Sequence, residues 1–237
     1  MKIAVLGTGA GARCHTARLA ELGHQVVVGT RDPQATLARR EPDMMGTPPY
    51  RDFHAAHPGL PLRTFAEAAD AGELVINGID GANAVTALSA IPPDALAGKT
   101  LIDYAVPYLY QQPGQVERPW PTPWGVMPRL QPVDTDSLAE QIQRALPDAK
   151  VVKAFVTQEQ ETVTHPEEFA DGDHTTVVAG DHDDAKTAAG ELLRAYGWRD
   201  ILDLGPLAAA RGMEMYAHLH TAIGLALGTR FGVKIIR

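Results

Sequence analysis

Residues 2–33, KIAVLGTGAGARCHTARLAELGHQVVVGTRDP, decide the fold. Lys2 to Leu6 make a short apolar strand, and Gly7, Thr8, Gly9, Ala10, Gly11 and Ala12 follow as a glycine-rich turn. Ala17, Leu19, Ala20 and Leu22 then suit a helix that Gly23 stops, and Val26 to Val28 predict a second strand. A strand, turn, helix and strand within roughly 30 residues is the setting that a dinucleotide-binding fingerprint requires.

Each small residue has a physical task in that pattern. Gly7 allows the tight turn out of the strand, and Gly9 lets a pyrophosphate approach the backbone. Ala12 is small enough for the helix to pack close to the strand, which satisfies the G-x-G-x-x-G/A form. The amino end of the helix then presents unpaired N–H groups and a partial positive charge to the phosphates.

The end of the second strand indicates which dinucleotide is expected. An acid about 20 residues past the glycines would bond the ribose 2′-hydroxyl of NAD. Thr30 and Arg31 stand there instead, and a hydroxyl beside a planar guanidinium suits a 2′-phosphate, so NADP(H) is the expected cofactor. Asp32-Pro33 has the form of a cap and first turn for the next helix. Arg39 and Arg40 follow as additional positive charge.

The whole chain sets the bounds. Its 237 residues suffice for one large α/β domain, or one domain with a smaller partner. With 21 Lys plus Arg against 29 Asp plus Glu, the formal charge of −8 argues against a nucleic-acid surface. The one cysteine, Cys14, excludes an intrachain disulfide and suits a cytoplasmic protein. No signal-peptide pattern opens the sequence, and no apolar run reaches the about 18 residues of a membrane span.

Further along, Gln34 to Arg40 predicts a short helix, and residues 41–61, rich in Pro and Gly, a surface excursion. Helical stretches at 65–71 and 82–90 alternate with strands at 73–77 (ELVIN) and 99–103 (KTLID). That alternation implies a parallel sheet covered on both faces. Residues 104–134 break the rhythm with seven prolines, Tyr104, Tyr108, Tyr110, Trp120 and Trp124, the composition of a lid or a dimer contact. A helix over 134–146, capped near Asp136 or Ser137, precedes a strand at 150–155 (KVVKAF). Strands at 174–179 and 201–204, a helix over 183–196 and a long final helix over 207–227 complete the chain. On that last helix Met213, Tyr216, His220, Ile223 and Leu227 share one face, and Arg211, Glu214 and His218 another. The expected architecture is a Rossmann-type doubly wound sheet over residues 1–156, with a smaller C-terminal α/β domain over 157–237.

The sequence resembles the NADP oxidoreductases that depend on the deazaflavin coenzyme F-420. GTGAGA with LAELGHQVVVGTRDP, TDSLAEQIQRALPDAKVVKAF, DHTTVVAGD, ARGMEM and FGVKIIR carry the likeness nearly end to end. The resemblance implies hydride exchange between NADP(H) and a second redox partner in a cleft, often in a homodimer. It also implies that Thr30 and Arg31 hold the 2′-phosphate. Asn77, Gly78, Ile79 and Ala105, after the strands at 73–77 and 99–103, would flank the nicotinamide.

Two positions depart from the family's pattern. Val106-Pro107 stands where Asn-Pro is common, and Val156-Thr157 where Asn-Thr is common. Each lost amide removes a hydrogen bond worth about 0.5–1.5 kcal/mol to a polar ligand, so the cleft should be more apolar. Val106, Val156 and Tyr216 are therefore candidate substrate contacts, and the second partner stays open between a deazaflavin and a small imine, enone or carbonyl substrate. A non-catalytic NADP(H)-responsive protein is the reading from a different class.

An imine or ketone acceptor would need a proton donor, for which Tyr104, His218 and His220 are the candidates. Asp103 is expected to cap or pair locally, Lys153 to be an edge or snorkelling lysine, and Cys14 to be a small core-facing residue. Asp181, Asp183 and Asp184 suit the dipole of the helix they open. The nine histidines show no metal-ligand spacing, and no metal is expected.

Overall fold

The computed structural model describes residues 1–43, 46–109 and 128–237. The opening unit forms as expected: β1 (Lys2–Leu6), α1 (Ala10–Glu21) and β2 (Gln25–Thr30). Gly23 takes a positive φ of 80° where α1 ends. Asp32 accepts a bond from the Ala35 amide at 3.0 Å and, with Pro33 in the first turn, starts α2 (Pro33–Ala38).

The expected excursion over 41–61 instead contains α3 (Tyr50–Ala56), with β3 (Leu62–Thr64) after it. Prolines around this segment suggest a loop, but Pro49 sits at the cap, where a missing N–H is harmless. Tyr50 then buries its ring against Val28 and Leu62. The chain continues through α4 (Phe65–Ala71), β4 (Leu74–Asn77), α5 (Gly81–Ser89) and β5 (Thr100–Asp103). The short antiparallel pair β6 (Tyr108–Leu109) and β7 (Arg129–Leu130) leads to α6 (Leu138–Ala145), where Ser137 is the cap residue. β8 (Lys150–Lys153), α7 (Gln160–Thr164), β9 (Thr175–Gly180), α8 (Asp183–Tyr196), β10 (Asp200–Asp203) and α9 (Ala210–Leu227) follow. Tyr110, Trp120 and Trp124 lie outside the described residues.

One sheet of eight strands runs β10-β9-β8-β5-β4-β1-β2-β3. Its β3-β2-β1-β4-β5-β8 part is parallel throughout and has the Rossmann order. β9 then pairs antiparallel with β8 (Val152 opposite Gly180), and β10 parallel with β9, so residues beyond 156 extend the same sheet. The two faces are read directly from β1. Ala4 and Leu6 pack with Ala68, Leu88, Leu101 and Ile142 on one side, and Ile3 and Val5 pack with Leu19, Ile76, Phe155 and Trp198 on the other. No described helix is long and apolar enough to cross a membrane.

The last helix departs from the expected faces. Its buried residues are Ala210, Met213, Glu214 and Ala217, whereas Leu227 is 58% exposed. The periodicity places Glu214 on a polar face; the helix turns it inward because a buried cation waits there, as shown below.

His15 was not singled out by the sequence. It lies fully buried on α1, with Nδ1 3.0 Å from the Tyr196 hydroxyl and Nε2 2.7 Å from Gln160 Oε1. Neutral imidazole suits both contacts: Nε2–H donates to the amide oxygen and Nδ1 accepts from the phenol. Burial pushes its pKa down from 6.5 to about 4, against the raising effect of the Gln160 bond. Because the folded value is depressed, this contribution to stability is complete above pH 6.5 and is lost as pH falls through 4. The loss should reach about 3 kcal/mol by pH 4. Urea unfolding between pH 7.5 and 4 should show that slope in the wild type and a flatter one in His15→Gln; identical slopes would refute the assignment.

Candidate functional site

The order of the parallel strands reverses between β1 and β4, and open α/β sheets bind ligands in the crevice at such a point, beyond the carboxyl ends of the strands. Gly7 leaves β1 with φ 126°, and its amide donates to the Gly29 carbonyl at 2.9 Å. A Cβ on Gly7 would collide with the Gly78 carbonyl, so no larger residue fits between the two loops. Gly9 caps α1 in extended conformation, without a side-chain acceptor and with no acid in the first turn. A Cβ at Gly9 would meet nothing within 4 Å, so the backbone is open on the side from which a ligand would come.

Gly11 faces the protein, where a Cβ would lie 3.1 Å from the Tyr104 hydroxyl and 2.8 Å from Gln160 Cγ. Gly7, Gly11, Gly78 and Tyr104 are thus brought to one edge. Arg13 folds back over the loop, its Nε donating to the Thr8 carbonyl at 2.9 Å and its guanidinium 5.5 Å from the Tyr50 ring centre. At the end of β2, the Thr30 and Thr36 hydroxyls are 2.8 Å apart, and Arg31 is exposed. Asp32, the nearest acid, is engaged as the α2 cap.

Beneath this edge lies a chain of buried polar groups. Lys153 is completely buried, which corrects the expected edge or snorkelling lysine. Its Nζ donates to Asp103 Oδ2 at 2.7 Å and to the Ala105 carbonyl at 2.5 Å, and pairs with Glu214 Oε1 at 2.8 Å. Three donors therefore have three acceptors. Asp103 reaches far beyond a local cap: its Oδ1 accepts from Asn77 Nδ2 at 2.7 Å and from the Ala105 amide at 3.2 Å. Asn77 Oδ1 accepts in turn from the Ile79 amide at 3.2 Å.

Glu214 closes the other end of the chain by accepting from the Leu138 and Ala139 amides at 2.9 and 3.2 Å. One cation faces two carboxylates, and the positive amino end of α6 balances part of the surplus. Burial lowers the Lys153 pKa, but Asp103 and Glu214 outweigh it and hold the ammonium above its ordinary value. Burial pushes Glu214 upward, opposed by the Lys153 charge.

The candidate substrate residues divide into two groups. Val156 packs with Val177, Ala179 and Met213, and Val106 lies against the same cluster, so both valines face one apolar patch. Tyr104 stacks near His15, with ring centres 5.1 Å apart, and burial raises its hydroxyl pKa, so it keeps its proton. On α9, His218 Nε2 lies 2.9 Å from the Pro128 carbonyl. The Tyr216 hydroxyl and His220 Nε2 are buried with no hydrogen-bond partner among the described residues, their rings 5.9 Å apart. Cys14 is half-buried, and burial raises its thiol pKa, which disfavours the reactive thiolate. Among the described residues no group of three or more His, Cys, Asp or Glu is placed to hold a metal ion.

Sequence reasoning missed His15, Gln160 and the partnership of Lys153 with Glu214. The available signal was a lysine inside an apolar strand, which requires a buried acid.

A family model described as NADP oxidoreductase, coenzyme F420-dependent, matches residues 2–107. A solved structure from Arthrobacter sp. FB24, described as a candidate F420-dependent NADP reductase, is 42% identical, with each chain fully covered and a TM-score of 0.89. The metalloreductase STEAP3 of Rattus norvegicus is 31% identical over 214 residues, which are 90% of this chain and 36% of STEAP3. The chain therefore spans about a third of that curated relative. An imine reductase from Pseudomonas sp. shares the fold at 19% identity and a TM-score of 0.59, covering 96% of this chain and 62% of the other.

Lys153→Met should leave Asp103 and Glu214 as buried carboxylates without a cation, at a cost of about 3–5 kcal/mol. Urea unfolding at neutral pH measures it, and a loss below about 1 kcal/mol would show that the ammonium is dispensable.

Proposed function

The chain belongs to the coenzyme F420-dependent NADP oxidoreductase family, and from that premise we propose that it binds NADP(H) at the carboxyl edge of β1, β2, β4 and β5. There it exchanges a hydride between the nicotinamide and a second partner. The observation that carries the proposal is the uncapped amino end of α1, open above Gly9, with Arg31 at the end of β2 and Asp32 already engaged elsewhere.

When bound, NADPH supplies the hydride. The residues of this chain then have distinct tasks. Gly7, Thr8, Gly9, Ala10, Gly11 and Ala12 receive the pyrophosphate on backbone N–H groups and the helix dipole. Thr30 and Arg31 hold the 2′-phosphate, the guanidinium through paired bonds. Asn77, Gly78, Ile79 and Ala105 line the nicotinamide half. Tyr104, which retains its proton, offers a hydroxyl donor close to the glycine loop.

The family implies the deazaflavin coenzyme F420 as the second partner. A specific observation favours a second reading, a small imine, enone or carbonyl substrate. Val106 and Val156 stand where the family commonly carries amides, and both pack against the apolar patch with Met213. Such a wall excludes water but offers no hydrogen bond to a polar ring system. We also infer a cytoplasmic homodimer. Exposed Leu219, Leu225 and Leu227 on α9 support the dimer contact, and a single half-buried cysteine suits a reducing compartment.

Arg31→Ala should weaken NADPH binding about tenfold or more, roughly 1.4 kcal/mol, and change NADH binding little. Calorimetry with both nucleotides checks this; equal losses would remove the phosphate role. Stopped-flow mixing of the protein with NADP⁺ and reduced F420 tests the partner. Hydride exchange within the mixing experiment supports the deazaflavin, and its absence on protein that binds NADP⁺ transfers the proposal to the small-substrate reading.

A further inference from the structure

Resting on the NADP(H) reading, we infer that Lys153 and Glu214 are positioning residues that fix the loops lining the nicotinamide half of the crevice. Three observations converge on this. Both loops in question are held by side chains of one buried chain: Asn77 receives the Ile79 amide, and Asp103 receives the Ala105 amide. Lys153 then takes the Ala105 carbonyl, so Ala105 is gripped at its N–H by one member of an ion pair and at its carbonyl by the other. Finally, Glu214 anchors the ammonium from α9, far along the sequence, and it is itself fixed by two amides of the first turn of α6.

The geometry exceeds what packing alone requires. An ammonium buried in strand β8 needs carboxylate partners, but it does not need its third donor to hold the peptide that leads to Val106. Charge-assisted bonds to the N–H and the carbonyl of Ala105 restrict that residue more tightly than neutral bonds would. A shift of about 1 Å at such a wall is costly to a reaction that requires two carbons in contact. Lys153 and Glu214 are buried, and their effect passes through Ala105, Asp103 and Asn77. Among the described residues, the proposed phosphate-binding half, Gly7 to Ala12 with Thr30 and Arg31, makes its side-chain hydrogen bonds outside this chain of groups.

That separation supplies the test. Adenosine 2′,5′-bisphosphate carries the adenine half of NADP alone, whereas NADPH carries both halves. Glu214→Gln should bind the bisphosphate within about twofold of the wild type but lose about tenfold in NADPH affinity, read by calorimetry. Asp200→Ala breaks the ion pairs with Lys234 and Arg237 on the edge strand β10, away from Lys153 and α6, and should leave the ratio of the two affinities unchanged. If Glu214→Gln does not fold, Glu214→Asp, which keeps the charge on a shorter stem, takes its place with the same expected split. Parallel loss of both ligands, an unchanged NADPH affinity, or an equal change of ratio in Asp200→Ala would overturn the inference. A wild-type protein that binds neither ligand would instead overturn the NADP(H) reading on which it stands.

Discussion

An ammonium with no exposed surface must find its solvation inside the protein, and Lys153 finds it in Asp103, Glu214 and the Ala105 carbonyl. Bulk solvent does not reach a side chain with no exposed surface, so the three acceptors have to be delivered by the fold. β5 brings Asp103, the segment after it brings the carbonyl, and α9 brings Glu214. Removing the ammonium strands two carboxylates at low dielectric, which is far more costly than the cluster is worth when intact. The position of the last helix against the Rossmann sheet is therefore set by electrostatics as well as by Met213 and Ala217.

In the proposed reading, the same constraint lets the cofactor half stay fixed while the partner half varies. The glycine loop depends on φ at Gly7 and on space at Gly7 and Gly78, requirements of the backbone that tolerate almost no change. Val106 and Val156 face a patch of Val177, Ala179 and Met213. In the proposed reading that patch selects the second partner, and the Ala105 residue that leads to Val106 is held from beneath.

Much of this was legible in the amino acids. Glycines at 7, 9 and 11 before a helical period, and Asp32-Pro33 after a strand, are local patterns, and they formed as expected. α3 was hidden because prolines at 48, 49, 58 and 61 surround it, although a proline before a helix start is compatible with one. Glu214 was read as a polar-face residue because periodicity registers only apolarity. What turns it inward is a cation 61 residues earlier, 214 − 153, and no local window contains both. His15 escaped for the same reason, since Tyr196 and Gln160 reach it from the far end of the chain.

Phe155, directly before Val156, adopts φ 64°, a left-handed conformation that a bulky side chain rarely takes. Such a residue costs about 1–3 kcal/mol unless its surroundings compel it. Here the Gln160 amide bonds the Phe155 carbonyl at 2.8 Å while the Phe155 ring stacks 4.8 Å from His15, on the very helix that presents the glycine loop. Gln160 also meets that histidine, so the two sides of the crevice are riveted together at the base. A jaw joined at its root cannot open there by hinging. In the proposed reading, entry and exit of a second molecule are then left to the rim, away from that joint.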